Sequence, residues 1–291
     1  NLLFNTFAAS LLIGGSMTWL YYSDRLLEFP LGMFGVAIGT VILPHLSGRH
    51  AASDGAGYSK ALDWGLRLCL LIGIPACIGL VLCAQPLLFT LFQYGNFSAQ
   101  DARMSALSLV AQSLAVPAFL LVKLLAPAFF ARQDTRTPVK AGLVSVAVNA
   151  LSMLALVAGL LWSTAAGQAA LTAAGGSIWG ALKLLPGAHA LLALAIAIAG
   201  WSNALQLAWY LRRARVFVAQ PGWPRFVLQL GVASVVMTAV LVAFTVQWPD
   251  YSVWNWWDRG WRLAVMVAGG AASYALALLA CGYRVGELRA R

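Results

Sequence analysis

Apolar residues in this chain recur in windows long enough to cross a bilayer, separated by shorter stretches rich in charge, glycine and proline. A helix needs about 20 mostly apolar residues to cross roughly 30 Å of hydrocarbon. Windows of that kind fall at residues 16–47, 62–84, 104–131, 139–162, 189–211, 226–247 and 261–283. The pattern predicts an all-α polytopic integral membrane helical bundle with about seven full spans. Residues 1–10 are apolar but too short to span, run into Gly14-Gly15, and read as the end of a preceding partial helix. The chain starts without Met and without the basic n-region and small-residue cleavage site of a signal peptide, so it is expected to be one part of a larger molecule.

Composition agrees with the windows. Of 291 residues, 61% are apolar and 10% charged, and the mean hydropathy is +0.80. That is more apolar side chain than a water-soluble domain can bury, so lipid must be much of the solvent. A net charge of +10 invites a nucleic-acid reading until the Lys and Arg residues are located. Segments 48–60, 132–140, 212–225 and 284–291 hold Arg49, Lys60, Arg132, Arg136, Lys140, Arg212, Arg213, Arg215, Arg225, Arg284, Arg289 and Arg291. The alternating segments 85–103, 163–188 and 248–259 hold only Arg103, Lys183 and Arg259. This is the positive-inside pattern, which puts the first group and the C-terminus in the cytoplasm and makes the basic charge topological, with no nucleic-acid partner. Arg212, Arg213 and Arg215 are also placed to touch anionic headgroups, although orientation alone explains them. Trp254, Trp256, Trp257 and Tyr251 read as an interfacial aromatic belt.

Cys69, Cys77, Cys83 and Cys281 fall in apolar windows without CxxC spacing and read as small buried hydrophobes. His45, His50 and His189 are scattered across loops and helix ends, so no metal site is expected. No phosphate loop, GxSxG or HExxH motif is present, and neither an enzyme nor a cofactor is expected.

Chemistry is expected where the membrane rules are broken. An intramembrane charge costs at least about 2.5 kcal/mol on insertion scales. The first window carries Asp24, Arg25 and Glu28 within five residues, preceded by Thr18 and Tyr21 and followed by Pro30. At helical spacing Asp24 and Glu28 share a face, Arg25 reaches Glu28, and Tyr21 stacks one turn from Arg25. Such a face must line protein or a water-filled space. It reads either as a structural ion pair that locks helix packing or as the lining of a transport cavity. Pro30 frees a carbonyl near Leu26, and Gly32, Gly35 and Gly39 offer a close-packing step. Lys123 is the second breach, either snorkelling to the inner interface or offering a point charge to an anion. Asp63 and Arg67 read as an interfacial pair.

Residues 19–32, Trp-Leu-Tyr-Tyr-Ser-Asp-Arg-Leu-Leu-Glu-Phe-Pro-Leu-Gly, closely resemble the start of the eighth helix of the MurJ (MviN) lipid II flippases, members of the multidrug/oligosaccharidyl-lipid/polysaccharide exporter superfamily. Asp63-Trp64-Gly65-Leu66-Arg67, Leu91-Phe92-Gln93-Tyr94-Gly95, residues 123–140 and Gln220-Pro221-Gly222-Trp223 follow as further signatures in the family's order. The resemblance covers essentially the whole chain but only the C-terminal half of the family's fourteen-helix architecture. It implies one lobe of a two-lobe exporter in the bacterial inner membrane, moving undecaprenyl-diphosphate-linked peptidoglycan precursor between leaflets by alternating access. Its partners would be lipid II, membrane lipids and the N-terminal half. Arg25 matches the cavity arginine contributed by this half, and a guanidinium fork suits a diphosphate. Asp24 and Glu28 would orient Arg25, with Thr18 and Lys123 completing the substrate-binding set. Residues 1–220 would form the cavity part, and 221–291 the last two helices, a groove for the prenyl tail, and a cytoplasmic tail. Segment 163–188 is longer than the family pattern and is expected to form a small re-entrant or surface helix. Export of another polyprenyl-linked sugar or amphipathic molecule, and a non-transporting scaffold, are the alternative readings.

Overall fold

The structure, a computed structural model, describes residues 12, 14–185 and 187–283, with backbone alone at 36–39 and 41. The expectations for residues 1–10 and for the tail at 284–291 lie outside the described residues, as does the side-chain environment of Gly39.

Helices account for nearly all of the described chain, because away from water a segment must satisfy its own backbone hydrogen bonds. They are α1 Ser16–Ala51, α2 Gly55–Leu82, α3 Ala84–Leu91, α4 Ala99–Ser113, α5 Val116–Phe130, α6 Arg136–Ser163, α7 Ala165–Ala173, α8 Ile178–Leu184, α9 Ala188–Arg213, α10 Trp223–Gln247 and α11 Trp256–Ala280. Local chemistry sets several of the starts. Asp54 accepts the Gly57 N–H ahead of α2, and Ser98 and Asp101 form a reciprocal capping box on α4.

Among the described residues, α2, α6, α9, α10 and α11 are long and apolar enough to span by themselves. The 104–131 window, expected as one helix, is α4 and α5 meeting at a 45° bend. Pro117 sits in the first turn of α5, where its ring cannot donate to the preceding turn, so the helix breaks at Leu114-Ala115. The bent pair makes a sixth candidate span. The remaining window is α1, whose 36 residues extend about 54 Å. Segment 163–188 holds two short helices, α7 and α8, which bury Ala170, Ala181 and Leu182 beside Leu161 of α6 and Leu192 of α9.

Four helices make the centre. Leu46 of α1, Leu62 of α2, Leu120 and Leu124 of α5, and Leu207 and Leu211 of α9 are buried in one cluster. Small residues let α9 lie close to its neighbours: a side chain at Gly200 would strike the Phe119 ring at 2.8 Å, and the Ser145 hydroxyl of α6 donates to the Ala199 carbonyl at 2.8 Å. Leu143, Leu151 and Leu154 of α6 and Leu228, Val235 and Val246 of α10 point outward, as lipid-facing side chains do.

The last helix pair is fastened through a loop. Asp63 on α2 is buried, 2.9 Å from Arg67 Nε, and accepts the Gln220 N–H at 3.0 Å and the Trp223 indole N–H at 2.7 Å. Arg67 donates to the Gln220 and Pro221 carbonyls, and its guanidinium lies 5.2 Å from the Trp223 ring centroid. Asp63 and Arg67 are paired as expected, and two motifs about 150 positions apart in sequence thus form one clamp. Removing the carboxylate leaves a half-buried guanidinium without its counter-charge and two N–H groups without their acceptor. Asp63→Ala should lower unfolding stability by about 3 kcal/mol, and Trp223→Phe by about 1 kcal/mol. Thermal unfolding in detergent reads both, and an Asp63→Ala protein as stable as the parent would refute the clamp.

Candidate functional site

Gly15 enters α1 in the left-handed conformation, φ 99°. From there α1 divides into two faces. Trp19, Leu20, Ser23, Leu26, Leu27 and Pro30 are buried, whereas Thr18, Tyr21, Arg25 and Glu28 are exposed. Their spacings of three, four and three residues put these four side chains on one stripe. The buried side meets α4 and α5, so the stripe is the side of α1 that the described residues leave uncovered.

Three polar contacts set how α1 is held. At its start the Trp19 indole N–H donates to Asp101 on α4 at 2.7 Å. One turn on, the Gln112 side-chain amide of α4 donates to Asp24. Farther along, Lys123 of α5 donates from Nζ to the Leu31 carbonyl at 2.8 Å. That last contact depends on Gly35, where any Cβ would lie 2.4 Å from Lys123 Cδ and 2.7 Å from Nζ. The close approach expected at this glycine is therefore made by a lysine stem. Gly32, by contrast, has nothing within 4 Å of a Cβ position and faces open space.

Arg25 is organised by Tyr21. Its Nε and Nη2 donate to the Tyr21 hydroxyl at 3.1 and 2.7 Å, and the guanidinium sits 4.9 Å from the ring centroid. Nη1 is 3.6 Å from Glu28 Oε2, an ion pair longer than a hydrogen bond, with both side chains more than half exposed. The hydroxyl takes two of the five guanidinium N–H groups, one on Nε and one on Nη2, and Nη1 lies on the side of Glu28.

Of the sequence-selected residues, the structure brings Thr18, Arg25 and Glu28 to one face and separates Asp24 and Lys123 from it. Asp24 does not orient Arg25, because its carboxylate turns toward α4 and Gln112, and Tyr21 takes that part. Lys123 neither snorkels nor stands free; its charge is placed on the α1 backbone.

Gln112, Asp101 and His189 were not singled out from sequence. His189 is fully buried, lies 2.9 Å from the Met104 carbonyl and packs its ring 4.8 Å from Trp19. A signal existed for α4: Asp101, Ser105, Ser108 and Gln112 recur at spacings of four, three and four, a polar stripe within a span. Ser105, Ser108 and Gln112 are all buried.

Fold and site together define a multi-pass α-helical membrane protein with an uncovered stripe of ionisable groups along a packed helix. A family model described as "Lipid II flippase MurJ" matches residues 1–256, and the chain belongs to that family. It is 37% identical over 290 residues to the probable lipid II flippase MurJ of Vibrio cholerae, covering 100% of this chain and 50% of the relative. It is 36% identical over 241 residues to the lipid II flippase MurJ of Burkholderia cenocepacia, covering 83% of this chain and 42% of the relative. The chain thus spans about half the length of the curated relatives it matches. A solved structure titled "Lipid II flippase MurJ, inward closed conformation" superposes with a TM-score of 0.60 at 20% identity over 90% of this chain and 46% of the other, a likeness of fold.

The grips on α1 at Asp24 and Leu31 are seven residues, about 10 Å, apart. Gln112→Leu and Lys123→Met should each cost about 1–2 kcal/mol, and the double variant should equal their sum within about 0.5 kcal/mol. Thermal unfolding of the four proteins measures this; a large coupling energy would mean that the grips are not separate.

Proposed function

We propose that the chain is the C-terminal lobe of a lipid II flippase, working with an N-terminal half to move the undecaprenyl-diphosphate-linked precursor from the inner to the outer leaflet by alternating access. One observation carries this reading: a membrane helix packed on one side presents Thr18, Tyr21, Arg25 and Glu28 on the other. Charge on that stripe cannot face hydrocarbon without a cost of at least about 2.5 kcal/mol per group. A second lobe enclosing a wet cavity removes the penalty, and in this reading the N-terminal half is that lobe.

In this arrangement Arg25 grips the diphosphate. Tyr21 holds the guanidinium extended, and the N–H groups that Tyr21 does not take are free for phosphate oxygens. Glu28, at 3.6 Å, is a weak exposed partner that a phosphate displaces. Thr18 supplies a hydroxyl one turn before Tyr21. Asp24, Gln112 and Lys123 act behind the stripe by fixing α1. Residues 1–220 carry the cavity. Residues 221–291 carry the α10–α11 pair, whose outward Val, Leu and Trp side chains suit a prenyl tail. The distribution of Lys and Arg puts the C-terminus in the cytoplasm of a bacterial inner-membrane protein.

Complementation in cells depleted of their lipid II flippase tests the reading. The chain with a family N-terminal half should restore growth, the chain alone should not, and Arg25→Ala should abolish rescue at unchanged membrane level. Arg25→Lys, which keeps the charge but loses the fork, should retain less than about a tenth of the activity. Rescue undisturbed by Arg25→Ala would remove the arginine from the mechanism. Failure of a well-inserted pair would point to another substrate or a scaffold.

A further inference from the structure

At one end of the bundle the C-termini of α1, α5 and α9 and the N-terminus of α2 surround an open pocket of about 640 Å³. Arg49, His50, Asp54, Lys60, Arg132 and Arg215 line it. It is separate from the stripe on α1, which begins at the other end of that helix.

The pocket is built rather than incidental. The 216–220 strap crosses α2, with the Ser59 hydroxyl accepting the Val218 N–H at 2.9 Å and lying 3.1 Å from the Val218 carbonyl. Tyr58 donates to the Ala128 carbonyl, and Gln220 is tied to Asp63. Arg49 lies 2.6 Å from Asp54, over Gly57, where a Cβ would meet both side chains within 2.5 Å. The Gly57 N–H and the Arg49 guanidinium hold the Asp54 carboxyl below the usual carboxylate range, so this pair is internally neutral. Lys60, Arg132 and Arg215 have no salt bridge among the described residues.

Basic residues at helix C-termini have an ordinary explanation: they cap the last carbonyls and offset the helix dipole. Here the carbonyls are already served. Ser53, Gln133 and Arg215 all take left-handed φ of 54°, 58° and 54°. Each lets the next N–H turn back: Asp54 onto the Arg49 carbonyl at 3.0 Å, Asp134 onto Phe129 at 3.0 Å, and Val216 onto Leu211 at 3.1 Å. These are the only non-glycine residues with positive φ among those described. The dipoles do not absorb the charge either. Three C-termini carry roughly half a negative charge each and the α2 N-terminus half a positive one, so the four lining cations and one lining carboxylate leave about two positive charges, with Asp134 outside the lining but near enough to Arg132 to feel its charge. Exposed Val218 lines the pocket, and exposed Phe130 and Val139 lie within three residues of Arg132 and Arg136 along the chain, which puts apolar side chains at the same helix ends.

We propose that this pocket binds the phosphate of an anionic membrane lipid, with Lys60, Arg132 and Arg215 on the headgroup and the apolar flank against its acyl chains. A basic pocket between helix ends at the membrane surface is suited to such headgroups. Its readout is lipid binding, so it stands or falls independently of transport.

The test titrates dioleoylphosphatidylglycerol, dioleoylphosphatidylcholine and inorganic phosphate separately into the detergent-solubilised chain, counting one-to-one adducts by native mass spectrometry. Phosphatidylglycerol should bind at least about tenfold more tightly than phosphatidylcholine. Arg215→Gln should weaken it about fivefold, and Lys60→Gln/Arg132→Gln/Arg215→Gln roughly a hundredfold. Arg136→Gln/Lys140→Gln, exposed at the same end but outside the pocket, should leave it unchanged. An equal loss in that control would overturn the pocket in favour of diffuse surface charge. Equal binding of phosphatidylcholine, or phosphate binding as tight as the lipid, would overturn the lipid. Arg215 is exposed, so its single variant decides the matter even if the triple variant does not fold.

Discussion

Three ionisable groups within five residues of a membrane helix are the constraint around which this bundle is arranged. Hydrocarbon offers them no partners, so each needs one from protein or from a wet space. The structure divides them. Asp24 is turned inward to an amide on α4, while Arg25 and Glu28 stay on the uncovered face with Tyr21 as scaffold. The polar stripe of α4, the bend before α5 and the missing side chain at Gly35 are what this division requires of the neighbours. They bring Gln112 to one level of α1 and Lys123 to another.

The same economy governs the far side of the bundle. α10 and α11 are apolar on their outer faces, and polar contacts fasten the pair on its inner side: the Tyr274 hydroxyl donates to the Leu71 carbonyl of α2 at 2.7 Å and the buried Arg259 to the Phe89 carbonyl of α3 at 3.1 Å. The loop that precedes them adds a third fastening, held to α2 by one buried carboxylate with three donors. Such an ion pair tolerates burial because both partners have further hydrogen bonds, Asp63 from an amide and an indole, Arg67 to two carbonyls.

Much of this was legible in the sequence because lipid imposes a coarse and strict grammar. All seven apolar windows became helices or a bent helix pair, and the i, i+3 and i, i+4 relations of Tyr21, Arg25 and Glu28 read off the chain are the contacts observed. The misreadings have one physical source, since spacing along a single helix says nothing about the helix beside it. Asp24 lies as near to Arg25 in sequence as a residue can, yet its partner is 88 positions away. Lys123 looked like a free charge because its acceptor is a backbone carbonyl, which carries no residue signature. Asp63 and Arg67 were paired correctly, but the motif they hold, Gln220 to Trp223, meets them only in three dimensions. The break at Leu114-Ala115 could be inferred from Pro117 alone, though its angle could not.

That break exposes a carbonyl, and the Trp201 indole of α9 covers the one on Leu114 at 2.9 Å. On the opposite flank α9 receives the Ser145 hydroxyl of α6 at Ala199. These two keys lie two residues apart on α9 and lock it to both neighbours. Sliding α9 by even one turn, 5.4 Å, would take the Trp201 indole off the Leu114 carbonyl and the Ala199 carbonyl away from the Ser145 hydroxyl. Axial slip of α9 against its neighbours breaks both keys, whereas moving α5, α6 and α9 as one unit keeps them, so these contacts favour rigid-body displacement over slip between helices.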